Sequence, residues 1–150
     1  METLYKILTR AHSGWRWVVL LLLLVAIIKM VQGWKKGAHY TEGDRKLGLF
    51  TMIAFHLQFV IGLVLYFISP KVQFIEGVMA NKMLRFYTLE HIAMMTVAMI
   101  LITMGYSKAK KTSVEKQKFR IQAIFYTMTL LIVLLSIPWP FRDLLGGKWF

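Results

Sequence analysis

Two neighbouring side chains within one long apolar run have types that could do chemistry. Glu90 and His91 are the only acidic or basic side chains between residues 86 and 106. At about 1.5 Å of helical rise per residue, this run can cross a hydrocarbon core of roughly 30 Å. A charged side chain near the centre of a membrane costs about 2.5 to 3.5 kcal/mol. We therefore expect groups on facing helices to pair with both residues.

Three further histidines lie outside this run. His12 precedes the first apolar run, His56 is near the middle of the second, and His39 lies in a polar connection, where we expect it to be solvated. An imidazole inside a membrane can bind a metal, carry a proton or hydrogen-bond to a neighbouring helix. His12, His56 and His91 are therefore the candidate functional histidines.

These residues are positioned by four apolar blocks separated by short basic connections. The chain is 57% hydrophobic, above the 45 to 50% that is usual for soluble proteins. The pattern predicts an all-α, up-and-down bundle of four transmembrane helices in a single domain, with spans near residues 8–33, 46–69, 84–107 and 118–137. We expect the first span to be retained rather than cleaved as a signal peptide, because the run is long and no small-residue cleavage site follows it.

The net charge is +12, and the Lys and Arg side chains that carry it lie at the ends of these spans, where they meet lipid phosphates. This placement favours membrane lipids as partners over nucleic acid. Eleven Lys and Arg side chains lie on the side that carries residues 107–120, against eight on the other side. The positive-inside rule therefore predicts that residues 107–120 are cytoplasmic and that both termini are periplasmic.

The sequence contains no cysteine, which limits the redox chemistry that the protein can support. Iron–sulfur clusters, thiolate ligation and covalent haem attachment all require cysteine and are excluded. A bound metal would have to use histidine, carboxylate or methionine ligands. The ten methionines form no compact motif outside the membrane, and we interpret them as packing residues rather than a copper site.

A b-type haem in a helical bundle needs two imidazoles that face each other at similar depth. By helical rise, His56 lies about 15 Å and His91 about 7 Å inside the membrane boundary, while His12 lies near the surface. The two histidines of the His56–His91 pair thus differ in depth, and so do those of the His12–His91 pair. Errors in the span boundaries could remove most of this difference in depth. Arg16 and Arg10 are placed to meet haem propionates.

Glu90 has a structural and a chemical interpretation. It could pair with Arg16, with Arg85 or with a histidine and so fix how the helices pack, a contact worth about 0.6 to 2 kcal/mol between membrane helices. Alternatively, it could carry a proton that its neighbour His91 accepts. The structural interpretation is favoured slightly.

Four segments carry a resemblance to a known group of proteins. AHSGWRW, FTMIAFHLQFVIGLVLYFISPKVQF, LRFYTLEHIAMM and SIPWPFR resemble small bacterial four-helix inner-membrane proteins that are commonly labelled cytochrome-b-like. The resemblance covers nearly the whole chain. It implies a b-type haem held by histidines, and His12, His56 and His91 are the histidines in the matching segments.

From these observations we predict a small b-type cytochrome or haem-binding subunit that passes electrons within the bacterial inner membrane. We expect a homodimer or a subunit of a larger membrane complex, and an electron-transfer or accessory subunit rather than a stand-alone enzyme. The alternative is a cofactor-free accessory or assembly subunit of a larger inner-membrane complex. A third hypothesis is a quinone site that uses Glu90 and His91.

Overall fold

The computed structural model describes residues 2–147 and Trp149, and it confirms the predicted all-α four-helix bundle. No strand occurs among the described residues. The helices and turns follow one another along the chain as α1 (Glu2–Lys36), α2 (Glu42–Ile68), α3 (Lys82–Arg85), a π-helical turn (Phe86–Glu90), α4 (His91–Lys111), α5 (Glu115–Ser136) and a 3₁₀ turn (Asp143–Leu145). Helix α3, the π-helical turn and α4 form one continuous helical segment.

The four long helices pack in a ring. Helix α1 packs against α2 and α5, and α4 packs against the same two helices. The short connections 37–41 and 112–114 lie together at one end of the bundle, which we call the connection end. The opposite end, where α1 begins and α5 ends, also holds the long connection 69–81, and we call it the cavity end. Sequential long helices are therefore antiparallel, as predicted.

Local sequence signals set where the helices begin and end. Gly37 follows α1 with a φ of +59°, and the N–H of Ala38 reaches back to the Gly33 carbonyl at 3.0 Å, which is the usual glycine ending of a helix. Thr41 and Asp44 then start α2 as a capping box, in which each side chain accepts a hydrogen bond from the other residue's backbone N–H. Asn81 caps α3 through its side-chain oxygen.

Small and polar residues share the bundle interior with large side chains such as Phe119 and Tyr126. Along α5 the buried positions recur every three or four residues, at one face of a helix. They include Gln122, Thr129 and Ser136, whose exposed fractions are 1% or less, whereas Leu135 is 69% exposed. Small residues let neighbouring helices approach closely in a membrane, where lipid covers the leucines.

All four long helical segments are long and apolar enough to cross a membrane. Their outward faces carry large apolar side chains such as Leu21, which is 61% exposed in the isolated chain. The chain is therefore a membrane protein, and lipid or another membrane subunit covers these faces.

Candidate functional site

His12 and His91 meet at the cavity end of the bundle. Their ring centroids are 6.4 Å apart and their planes are inclined by 76°. His12 comes from α1, ten residues after its first residue Glu2, and His91 is the first residue of α4. Two residues that are 79 positions apart in the sequence thus form one imidazole pair.

The pair borders a cavity of about 370 Å³. This volume lies within the range of roughly 300 to 1,000 Å³ that small-molecule sites occupy. The wall is mainly apolar, as is usual for cofactor sites, with a few polar groups. Its apolar residues include Val19, Phe55, Phe59, Leu65, Val72, Ile92, Met95, Val133 and Ile137. The cavity can therefore exclude water from a bound ring while polar groups fix its orientation.

The end of α5 holds His91 in place. Nδ1 of His91 lies 2.9 Å from the main-chain oxygen of Ser136. A carbonyl can only accept, so Nδ1 must carry the proton, and Nε2 of a neutral His91 keeps its lone pair. Within a continuing helix the Ser136 carbonyl would accept from residue 140, but Pro140 has no N–H. The prolines after α5 thus leave this carbonyl for His91.

The other carbonyls at the end of α5 are also satisfied by the segment SIPWPFR. The N–H of Ile137 donates to the Val133 oxygen at 3.1 Å. Nε1 of Trp139 donates to the Leu134 oxygen at 2.9 Å, and Nη1 of Arg142 donates to the Leu135 oxygen at 3.1 Å. The last turn of a helix leaves its carbonyls without helical partners, and here each finds one. This network fixes the acceptor that orients His91.

A π-helical turn stands directly before His91. The N–H of His91 bonds to the Phe86 oxygen five residues back, and the Phe86 ring lies 5.6 Å from the His91 ring. Within the turn, the Thr88 carbonyl accepts from the Tyr66 hydroxyl of α2 at 2.8 Å, which ties the turn to a second helix. Single π-helical turns are frequent at functional sites, because the extra residue redirects the side chains that follow.

A glycine of α2 makes room for His12. A Cβ atom at Gly62 would lie 2.9 Å from Cε1 of His12, closer than real Cβ contacts come. The imidazole therefore packs directly onto the α2 backbone. Gly62 also borders the cavity, so the same glycine opens space for His12 and for a ligand.

Gln58, one turn before Gly62, contacts the backbone of His12. Its Nε2 donates to the main-chain oxygen of His12 at 2.9 Å. On these two residues, Nδ1 of His12 and Oε1 of Gln58 are buried and have no partner of good hydrogen-bond geometry. The main-chain carbonyl of Gln58 also faces the His12 ring. Because buried polar atoms are nearly always paired, these two atoms are available to a further hydrogen bond.

Two cationic side chains border the same cavity. Arg16 is 9% exposed, and its Nη2 donates to the main-chain oxygen of Trp149 at 2.9 Å. Lys71, in the long connection, places Nζ 3.4 Å from the Tyr87 hydroxyl. Both lie where they could meet a carboxylate on a ligand. Arg10, the other predicted propionate partner, is exposed and does not border the cavity.

His56 is held elsewhere in the bundle. Its Nε2 lies 2.9 Å from the Thr103 hydroxyl oxygen, and that hydroxyl donates its single proton to the Met99 carbonyl at 2.7 Å. The Thr103 oxygen must therefore accept from His56. Thr103 is twelve residues beyond His91 on α4, about 18 Å along the helix axis. The structure thus brings together His12 and His91, and it places His56 apart from them.

Glu90 and His91 point to different places although they are neighbours in sequence. Of the partners predicted for Glu90, the structure shows Arg85, whose Nε lies 2.6 Å from the Glu90 carboxylate. The Glu90 side chain is 42% exposed and does not border the His12–His91 cavity. Glu90 therefore pairs at the surface of the bundle, and only His91 faces the cavity.

Sequence analysis missed Gln58, Lys71 and the Ser136 carbonyl as parts of this site. Gln58 was visible as a polar residue in an apolar span, and this signal could have singled it out. Lys71 was counted only as a connection charge. The role of Ser136 depends on a main-chain oxygen, and no side-chain pattern reports it.

No group of three or more His, Asp or Glu side chains that could hold a metal ion occurs within residues 2–147 and Trp149. Comparison of the chain with protein-family models, with curated proteins and with solved structures found no match.

Proposed function

We propose that the cavity binds a b-type haem through His12 and His91 and that the protein passes electrons within the membrane. The observation that supports this best is the imidazole pair itself, two rings from different helices 6.4 Å apart at the edge of an apolar cavity. Haem supplies four of its own nitrogen ligands, so two protein imidazoles are enough to hold it. When bound, it supplies reversible one-electron chemistry.

The spacing of the rings fits this pairing. A metal–imidazole bond is about 2 Å long, and the ring centroid lies about 1 Å beyond the nitrogen, so two imidazoles that would hold one metal have centroids within about 6 Å of each other. The observed separation is 6.4 Å. The distance between His12 and His91 therefore suits two residues that would hold one haem between them, whereas His56 of α2 lies beside Thr103, about 18 Å along the bundle from His91, and would not join them.

The protein's own residues would orient and shield the group. The Ser136 carbonyl holds the Nδ1 proton of His91 and leaves Nε2 as the ligand atom, a second contact that metal-binding histidines commonly make. Arg16 and Lys71 are available for the two haem carboxylates. Apolar side chains around the cavity keep water away, which favours electron transfer over reaction with solvent.

The resemblance to small cytochrome-b-like membrane proteins supports the same proposal. His12 and His91 lie in two of the resembling segments. A third, SIPWPFR, supplies the Ser136 carbonyl that accepts from His91 and the Trp139 side chain that donates to the neighbouring Leu134 carbonyl. We also propose a bacterial inner-membrane location, with the connection end cytoplasmic and the cavity end periplasmic. The charge difference between the two ends supports this orientation. Assembly as a homodimer or within a larger complex is proposed on the resemblance alone.

The proposal is tested by the colour of the protein. The protein purified from membranes of cells supplied with haem should show a reduced-minus-oxidised spectrum of the b type. His12→Ala and His91→Ala should each abolish it, because no cysteine is present to replace a lost ligand. His39→Ala is the matched control, since His39 lies in the exposed connection beside Glu115.

A colourless wild-type preparation would contradict haem binding and would favour the cofactor-free accessory subunit. A quinone site at Glu90 and His91 is less well supported, because only His91 borders the cavity. Loss of colour in the His39→Ala control would show that the effect is not specific to the cavity.

A further inference from the structure

The two imidazoles of the pair differ in what holds their second nitrogen. Nδ1 of His91 has the Ser136 carbonyl as its acceptor at 2.9 Å. Nδ1 of His12 is buried and has no partner of good geometry. A metal-binding histidine almost always donates its other N–H to a carbonyl, a carboxylate or water, which fixes the ring and strengthens the ligand. His12 therefore needs an acceptor if Nε2 is to serve as a ligand.

We infer that the side-chain carbonyl of Gln58 is this acceptor and that Gln58 is the positioning residue for His12. The inference rests on the proposed haem site. Gln58 is already anchored to His12, because its Nε2 donates to the His12 main-chain oxygen at 2.9 Å. That bond assigns the amide orientation, since a carbonyl can only accept, and it leaves Oε1 as the unpaired end of the same planar group.

The atoms left unpaired favour Gln58 over other acceptors. Oε1 of Gln58 and Oδ1 of Asp44 are the two buried side-chain oxygens without a hydrogen-bond partner among the described residues. Asp44 lies at the connection end, where Lys29 is 3.8 Å away, so it cannot serve His12. Gln58 borders the cavity together with His12. One unpaired donor and one unpaired acceptor thus lie on residues that already touch.

The groups that face the His12 ring include a competing acceptor. From α4 the ring faces His91, from α1 it has the guanidinium of Arg16, which can only donate, and from α2 it has Gly62 and Gln58. The competing acceptor is the main-chain carbonyl of Gln58, which faces the ring but lacks good hydrogen-bond geometry to Nδ1. Replacing the side chain removes Oε1 and leaves this carbonyl in place, so substitution separates the two acceptors.

The experiment compares Gln58→Leu and Gln58→Glu with wild type in the full-length, haem-loaded protein. The readouts are haem transfer to an excess of apomyoglobin and the redox midpoint potential. Gln58→Leu should weaken haem retention by about ten- to a hundred-fold, the usual effect of losing such a contact, and should raise the midpoint potential. Gln58→Glu keeps an acceptor and makes it anionic, so it should retain haem and lower the midpoint potential. Gln122→Leu, which removes a buried amide at the connection end, is the control and should change neither readout.

Unchanged haem retention and potential in Gln58→Leu would overturn the inference and assign the His12 proton to the main-chain carbonyl. If Gln58→Glu lowers the midpoint potential while Gln58→Leu has the haem retention and potential of wild type, the added charge alone explains the change. That result would also overturn the inference. If Gln58→Leu does not fold, an unchanged potential in the nearly isosteric Gln58→Glu still contradicts the inference. Absence of haem from wild type would instead contradict the proposed function, so the two failures are distinguishable.

Discussion

At the connection end, buried polar side chains are paired within the protein, except for Oδ1 of Asp44, which has the Lys29 ammonium at 3.8 Å. The Tyr126 hydroxyl donates to the Gly48 carbonyl at 2.8 Å, and the Tyr40 hydroxyl donates to Oε1 of Gln122 at 3.3 Å. Burial raises the pKa of Tyr40 to about 12, so this phenol stays a neutral donor at ordinary pH. Gly48 packs against the Gln122 amide, where an added Cβ would lie 2.9 Å from Nε2. The glycine and the polar side chains here serve close packing.

At the cavity end, the same kinds of residue surround open space. Gly62 faces an imidazole, His12 and Gln58 keep unpaired polar atoms, and about 370 Å³ lies between the helices. A polar group in a packed interior is explained by its partner, whereas unpaired groups beside a cavity are available to a ligand, as the proposed haem site requires. The contrast is what distinguishes structural polar residues from functional ones in this bundle.

Replacing a glycine at each end should give opposite phenotypes. An added Cβ at Gly105 would lie 2.5 Å from Cβ of Phe125, so Gly105→Leu should destabilise the bundle by about 1 to 3 kcal/mol. Gly62→Leu should cost less stability, because its side chain can enter the cavity, but it should displace His12 and abolish haem binding. Unfolding by SDS in mixed micelles measures the loss of stability in each variant. The haem spectrum measures the loss of haem binding in Gly62→Leu. Equal loss of stability in both variants would contradict the contrast between the ends.

A substitution at His56 should have an effect of intermediate size. His56→Ala removes the hydrogen bond to Thr103, a contact that averages about 0.6 kcal/mol between membrane helices. Because His56 is remote from the His12–His91 pair, haem content should equal that of wild type. The measurement is the ratio of haem absorbance to protein. Loss of haem in this variant would make His56 a ligand and would refute the proposed pair.

The smallest effect is expected at Glu90. Its ion pair with Arg85 is partly exposed, with the two side chains 42% and 35% accessible, so Glu90→Gln should change stability by about 0 to 1 kcal/mol. Glu90 is turned away from the cavity, and the redox midpoint potential should therefore vary with pH in the same way in the variant and in wild type. Redox titration at several pH values is the measurement. A pH dependence that is present in wild type and absent from Glu90→Gln would assign Glu90 to a proton path.

Sequence patterns were enough to predict the fold, and the reason is physical. Four apolar runs of bilayer length can satisfy their backbone hydrogen bonds in lipid as helices, and short connections make sequential helices antiparallel. Which faces point inward was harder to predict, because lipid and core are equally apolar. Leu23 is fully buried while Leu21 is 61% exposed, and hydrophobicity does not distinguish them.

The site was predictable in its residue types but not in its pairing. His12 and His91 were identified as candidates, yet helical-rise arithmetic left them mismatched in depth. Such arithmetic assumes where each helix enters the membrane and ignores the π-helical turn before His91. The Glu90–Arg85 pair involves residues close in sequence and was among the contacts expected. The contacts of Gln58 and of the Ser136 carbonyl depend on how α1, α2, α4 and α5 pack, which no single segment encodes.

The bond between His91 and the end of α5 also has an electrostatic consequence. The carbonyl end of a helix carries a partial negative charge, equivalent to about half an electron, and it stabilises a nearby positive charge by about 0.3 to 1 kcal/mol. Ser136 is the last residue of α5, so this partial charge is directed at the His91 ring. The end of α5 thus offsets part of the positive charge that Arg16 and Lys71 bring to the same cavity.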